Sequence, residues 1–297
     1  YIILIPQVTV TDRLKNYYEL TKPKIWYLLV FTAFGSAITA SYSTDTFLSP
    51  LQWVFLLVGI VTGSAAADAL TGYNDRDIDA IMDRTKARPI PSGRISPRNA
   101  LIFGLLLAAI SLFCAWSINY ITLGLMAFGL FDNIVVYSKW LKRKSQSNII
   151  LGGFSGGVPA LIGYVAVTTE HLEIGLAMAA LVFLWIPTHI WGLALHVRDD
   201  YTKAGVPMLP VVAGEKRSVQ VIAGTTLLMV VFSIIPFLNQ FGLIYFITAI
   251  SGGIIMIVTS LWLLVKPSEK ASWLLFKISS PYLTALFVAF MVDAIFH

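Results

Sequence analysis

Cysteine is nearly absent from this chain. Cys114 is the single one and lies in an apolar run, which excludes a disulfide framework and any cysteine-built metal cluster. Charge is also scarce: 12% of the 297 residues are Asp, Glu, Lys or Arg, against 57% hydrophobic, and mean hydropathy is +0.77. That balance excludes a soluble domain and implies a polytopic membrane protein. Low-complexity stretches and internal repeats are missing, so one membrane domain over residues 1–297 is expected, with 1–20 as a tail before the first span. The formal net charge of +5 would suit nucleic acid, but the basic residues are confined to short loops, which argues against it. The apolar residues 1–5 are too short for a signal peptide, and no small-residue cleavage site follows them.

What the chain has is apolar segments of membrane-crossing length. Nine are expected, at 23–41, 51–82, 98–118, 120–141, 148–168, 171–197, 218–238, 242–265 and 271–296. Lys and Arg fall only in the N-terminal tail and in every second loop, with Lys277 just inside the last segment. The positive-inside rule makes that face cytoplasmic, with the N-terminus inside and the C-terminus outside. An isolated intramembrane Asp132 has no evident place, and Asp293 is expected at the interface.

Against this apolar background the run Asp75, Asp77, Asp79, Asp83 stands out. If the second helix continues through it, Asp68, Gly72, Asp75 and Asp79 share one face. Carboxylates placed there repel unless cations intervene, and Arg76, Arg84, Lys86 and Arg88 follow at once, before Pro89, Pro91 and Gly93 end the helix. A solvated charged loop is the plain alternative. The oxygen-only donor set suits a hard cation such as Mg²⁺ that shares its shell with phosphate oxygens, and the basic neighbours suit the same phosphates.

A second constellation closes the sixth segment. His189, Gly192, His196 and Asp199 or Asp200 lie on one helical face, with Arg198 and Lys203 beside them. Two acidic helix ends on one side make a clamp for a diphosphate and one or two Mg²⁺ ions. A transition-metal site from His189, His196 and Asp200 is the alternative, although histidines seven residues apart lie about 10 Å apart along the axis. A third polar end, Tyr137 to Lys144, is either an aromatic and basic anchor or a source of Lys139 and Tyr137 for the diphosphate.

With these residues in hand the chain resembles the UbiA-type intramembrane prenyltransferases and, within them, the branch that makes heme O. The superfamily's first acidic motif is matched by Asp75-Arg76-Asp77-Ile78-Asp79 and the run from Arg84 to Gly93. The branch is matched by the run from Asp200 to Val212, and by Trp185 to His189, Thr21-Lys22-Pro23-Lys24 and Trp140-Leu141-Lys142-Arg143. Thr71 and Gly72 depart from the usual motif, which has Asn and then Asp or Asn; Asp68, one turn earlier, is a candidate to compensate.

The resemblance implies an all-α membrane bundle of about nine transmembrane helices. It implies that farnesyl diphosphate alkylates a vinyl group of protoheme (heme B), that Mg²⁺ assists, and that water then adds. Asp75, Asp79 and Asp200 would hold the metal, with Asp199 and Asp68 as further candidates. Arg76, Arg84, Arg88, Lys139, Arg198, Lys203 and Tyr137 would attend the diphosphate. His189 would contact the acceptor, through heme iron or a propionate. The setting implied is a prokaryotic cell membrane, with lipid around the bundle and a downstream heme A synthase or oxidase assembly as consumer. A quinone precursor or lipid acceptor, and more remotely an ion-coupled transporter, are the rival readings.

Overall fold

A computed structural model of the chain describes residues 9–236 and 241–296. Residues 1–5 and the last residues of the seventh expected segment, 237–238, lie outside the described residues.

The described residues form helices and turns. A short α1, Val10–Leu20, precedes α2, Pro23–Thr44. Next come α3, Pro50–Asn74, and the six-residue α4, Arg76–Ile81, followed by a looped stretch before α5, Pro97–Trp116. The helix α6, Tyr120–Phe131, runs straight into a π-helical stretch, Asp132–Leu141. After it come α7, Asn148–Leu151, and α8, Phe154–Val167. The second half holds α9, Leu172–His196, α10, Arg198–Lys203, α11, Leu209–Val212, and α12, Gly214–Phe232. Two long helices close it, α13, Leu243–Val265, and α14, Glu269–Phe296.

Helix starts follow local chemistry. Thr9 with Asp12, and Ser49 with Gln52, form reciprocal capping boxes, and Pro50 and Pro97 occupy first turns where no N–H is needed. Eight helices among the described residues are long and apolar enough to cross a membrane, and the protein is an integral membrane protein. The seventh expected segment is α12, which packs between α9 and α13 but opens with Glu215, Lys216 and Arg217, too polar a start to join the eight.

Packing divides the bundle into two groups that share α2 and α8. In one, α3 lies against α5 and α2 against α8; in the other, α14 lies against both α9 and α13. Backbones come close where glycine allows it: a Cβ at Gly163 would stand 1.9 Å from the Ala33 carbonyl oxygen, so α2 and α8 cross in contact.

Several expected helices are subdivided. The second closes at Asn74 and resumes at Arg76, although the Asp75 and Asp79 amides still bond to the Thr71 and Asp75 carbonyls at 2.9 and 2.8 Å. The fifth is broken at Gly152–Gly153, where Cβ atoms would collide with Tyr137 and with the Ile149 carbonyl. Asp132, unplaced by sequence, is buried at that break and accepts the Ser155 N–H at 2.9 Å, near the start of α8. Asp293 is buried within the bundle. It is 1% exposed and accepts the Tyr245 N–H at 2.8 Å, satisfying a donor in the first turn of α13 that α13 cannot satisfy itself.

Candidate active site

The acids gather at the end of the bundle where the basic loops emerge, and four of them are met by a cation from outside their own helix. Asp68 pairs with Lys22 at 3.0 Å, Asp75 with Lys142 at 2.5 Å, Asp79 with Arg88 at 2.8 Å, and Asp77 with Arg143 at 2.6 Å. This is the intervening positive charge that a face of carboxylates requires. Asp75 and Asp79 are 4% and 1% exposed, whereas the Asp77 side chain is 62% exposed, so the α4 turn sends Asp77 outward. The Arg143 hydrogen bond holds the Asp77 carboxyl well down, to about 2. Burial alone would lower the Lys142 ammonium, but the Tyr137 and Asp75 oxygens outweigh it and hold the group above the usual lysine value.

Lys142 is the residue that sequence reasoning passed over in favour of Lys139. The stretch Asp132–Leu141 bonds in i→i+5 register, seen where the Lys142 amide meets the Tyr137 carbonyl at 2.8 Å. A wider turn rotates everything after it relative to an α-helical wheel. Ser138 and Lys142 therefore face Asp75, with Ser138 Oγ 3.2 Å from Asp75 Oδ1, while Lys139 is exposed. Tyr137 lies with its ring under the Lys142 ammonium, 5.7 Å from centroid to Nζ. No periodicity in the sequence marks the i→i+5 register.

The loop after α4 joins the two acidic elements. Thr85 is fully buried and donates to the Asp79 carbonyl at 2.8 Å, and Arg88 then turns back onto Asp79. Asp200 does not extend the His196 face, because Val197 ends α9 at φ −110°, ψ 36°. Its carboxylate instead accepts the backbone N–H groups of Asp83 and Arg84 at 3.3 and 3.1 Å. Lys203 pairs with Asp83 at 3.1 Å, and Asp199 is exposed. Arg76 stacks on Tyr73 and donates to the Tyr73 carbonyl, whereas Arg84 points toward the Tyr201 hydroxyl at 3.5 Å. Arg198 lines a cleft of about 360 Å³ with His196, Asp199, Asp200, Glu215 and Glu269.

The histidine face lies against α14. His189 Nδ1 lies 2.7 Å from Ser279 Oγ, and its ring is stacked between Trp185 and Phe276 at 4.2 and 4.3 Å. His196 stacks on Trp273 at 4.7 Å. Gly192, on the same face, sits against the α14 backbone: its Cβ position is 3.6 Å from the Ser272 carbonyl oxygen.

A hard divalent ion suits the donor set chemically, since the buried acids offer oxygen alone. One atom stands ready: Asp79 Oδ1 is buried without a hydrogen-bond partner. The Asp75 and Asp200 carboxylates are engaged by Lys142, Ser138 and the two amides, and the described residues hold no preformed group of three or more acidic, His or Cys ligands. Thr71, where the usual motif has Asn, donates to the Asp68 carbonyl at 3.2 Å, and Gly72 leaves room for Leu20 and Ile90.

Residues 28–288 match the model of the UbiA prenyltransferase family. Protoheme IX farnesyltransferase 2 of Cenarchaeum symbiosum is 51% identical over 95% of this chain and 96% of its own length. Protoheme IX farnesyltransferase of Desulforudis audaxviator is 45% identical, over 95% and 89%. Among solved structures, one of digeranylgeranylglyceryl phosphate synthase superposes with a TM-score of 0.78 at 23% identity, covering 96% of this chain and 100% of that one. A UbiA homologue from Archaeoglobus fulgidus, bound to DMAPP and Mg²⁺, gives 0.62 at 19%, covering 94% and 99%. At these identities the structural likeness is one of fold.

Proposed function

We propose that this chain, which belongs to the UbiA prenyltransferase family, moves the farnesyl group of farnesyl diphosphate onto a vinyl group of protoheme IX and so makes heme O. One observation carries the choice of acceptor. The relatives named for that reaction match along 95% of the chain, so the likeness spans the whole bundle and not the acidic motif alone. The Lys and Arg partition supports a cytoplasmic mouth, and a prokaryotic cell membrane is the setting we assign.

In the reaction the allylic C–O bond breaks and its electron pair leaves with the diphosphate. The vinyl double bond supplies the pair for the new C–C bond. Water adds to the cation left on the porphyrin side and loses a proton to solvent. Mg²⁺, when bound, neutralises the charge that grows on the leaving diphosphate. Asp75, Asp79 and Asp200 are the residues we assign to hold it, with Asp199 beside them at the mouth. Asp68 serves instead as the anchor of Lys22.

Lys142 and Arg88 neutralise Asp75 and Asp79 in the ligand-free chain, which makes a buried acid pair tolerable without metal. Arg76, Arg84, Arg198 and Lys139 form no ion pair among the described residues and are the cations we assign to phosphate oxygens. Lys203 and Tyr137 position Asp83 and Lys142 rather than ligand. His189 is the acceptor-side residue we assign, held in orientation by Ser279, Trp185 and Phe276. The apolar helices keep water from the farnesyl cation until the C–C bond has formed.

The test is to incubate the purified protein with heme, Mg²⁺ and allylic diphosphates of several lengths, then identify products by mass spectrometry. Heme that gains a hydroxyethylfarnesyl chain is the expected product. Unmodified heme together with a prenylated quinone precursor or lipid would refute the assignment.

A further inference from the structure

We propose that α1 is seated on an anionic lipid surface and that this seat holds the Arg88-bearing loop over the acids. Viewed down its axis, α1 has three flanks. Asn16 and Leu20 are buried against the protein, and Tyr17 packs on Phe103 with ring centroids 4.9 Å apart. Asp12, Lys15 and Glu19 make a polar flank. Between them Val10, Leu14 and Tyr18, spaced four apart, leave 73%, 67% and 49% of their surface uncovered. An apolar flank set between protein and water is the arrangement of a helix lying in the interfacial plane.

Two observations name the occupant. First, the flank continues into the lipid-facing side of the first span. The Tyr18 and Tyr27 hydroxyls are 2.6 Å apart, and Ile25 and Tyr27 at the start of α2 are 49% and 54% exposed. Second, Arg13, Lys15 and Lys24 are exposed there and form no ion pair among the described residues, which favours anionic headgroups.

The polar side of α1 grips the loop. Arg94 donates to both Glu19 oxygens at 2.5 and 2.8 Å, to Asn16 Oδ1 at 2.8 Å and to the Ala87 carbonyl at 2.6 Å. Leu20 packs with Ile90 and Ile95 beneath the same loop. That loop carries Arg88 to Asp79. Fixing α1 on the membrane therefore fixes the frame on which the loop is hung. The consequence for turnover rests on the proposed function; the seating does not.

The experiment uses the full chain in nanodiscs, with Cys114→Ala removing the native thiol. Bimane is attached through Leu14→Cys or Lys15→Cys, and the acyl chains are brominated. At position 14 quenching should be at least twofold stronger than at position 15. Hydrogen exchange of residues 84–95 should be at least tenfold faster in Leu14→Glu than in the parent, and faster in neutral than in anionic nanodiscs. Leu14 is exposed, so its replacement removes no packing, and an unchanged thermal transition verifies the fold. A label at 14 that lipid does not quench would overturn the proposal, whether water, residues 1–8 or a second copy covers it. So would loop exchange indifferent to Leu14→Glu or to lipid charge. Neither readout requires turnover, so failure here is separable from failure of the acceptor assignment.

Discussion

Replacing Lys142 by Met tests whether the buried acid is held by charge. The Lys142 and Asp75 side chains are 11% and 6% exposed, so screening by water is slight. Unit charges 4 Å apart attract by about 4 kcal/mol at an effective dielectric of 20. Deleting one partner of a buried pair costs about 3–5 kcal/mol, chiefly because the survivor is left uncompensated. Ser138 retains its hydrogen bond to Asp75, which puts the expected loss near the lower end, about 3 kcal/mol. For a chain of 297 residues that is a fall of roughly 5 °C in Tm. Tryptophan fluorescence during thermal unfolding in detergent, without Mg²⁺, measures it. Adding Asp75→Asn to Lys142→Met removes the stranded charge and should restore at least half the loss. Lys139→Met, at an exposed position, should change stability by less than about 0.5 kcal/mol. A double variant no more stable than Lys142→Met alone would refute the electrostatic account.

Other consequences are checked as directly. Asp75→Asn, Asp79→Asn and Asp200→Asn should each lower kcat about 100-fold, roughly 2.7 kcal/mol of barrier, in a product assay at saturating Mg²⁺. Asp77→Asn should cost less than about threefold, since that side chain faces outward and surface ion pairs contribute little. Asp293→Ala should lower stability by about 1 kcal/mol by stranding the Tyr245 N–H, with Asn tolerated in its place; thermal unfolding distinguishes the two. The Arg94 hydrogen bond holds Glu19 below its ordinary 4.5, so the clamp on α1 contributes above that pH and is lost as pH falls through the lowered value. Glu19→Gln should remove this acid dependence from the exchange protection of residues 84–95.

Much of the architecture was legible because membrane helices announce themselves by length, and because basic residues sort to one side. The acidic run was legible for the opposite reason: in an apolar chain, carboxylates are expensive enough to be noticed. What could not be read was pairing. Lys22, Arg88, Lys142 and Arg143 reach Asp68, Asp79, Asp75 and Asp77 across loops and neighbouring helices, and nothing in helical spacing links those positions. Helical spacing shows that His189 and Gly192 point together, but not that α14 lies against that side. The partner of Asp293 could not be read either, because the group it satisfies starts a different helix, 48 residues earlier. The turn at Val197 likewise redirected Asp200 from a histidine face to two backbone amides.

The i→i+5 stretch has a consequence for how such a chain tolerates insertion and deletion. Winding the residues between Asp132 and Leu141 into an ordinary α-helix of unchanged length would improve their local hydrogen bonding. It would also swing everything beyond it by about 100°. Ser138 and Lys142 would then turn away from Asp75, and the buried carboxylate would lose both partners at once. Selection on this segment therefore acts on how many residues it contains as much as on which ones. A relative with one residue fewer here can turn the same face to the aspartate from an ordinary α-helix.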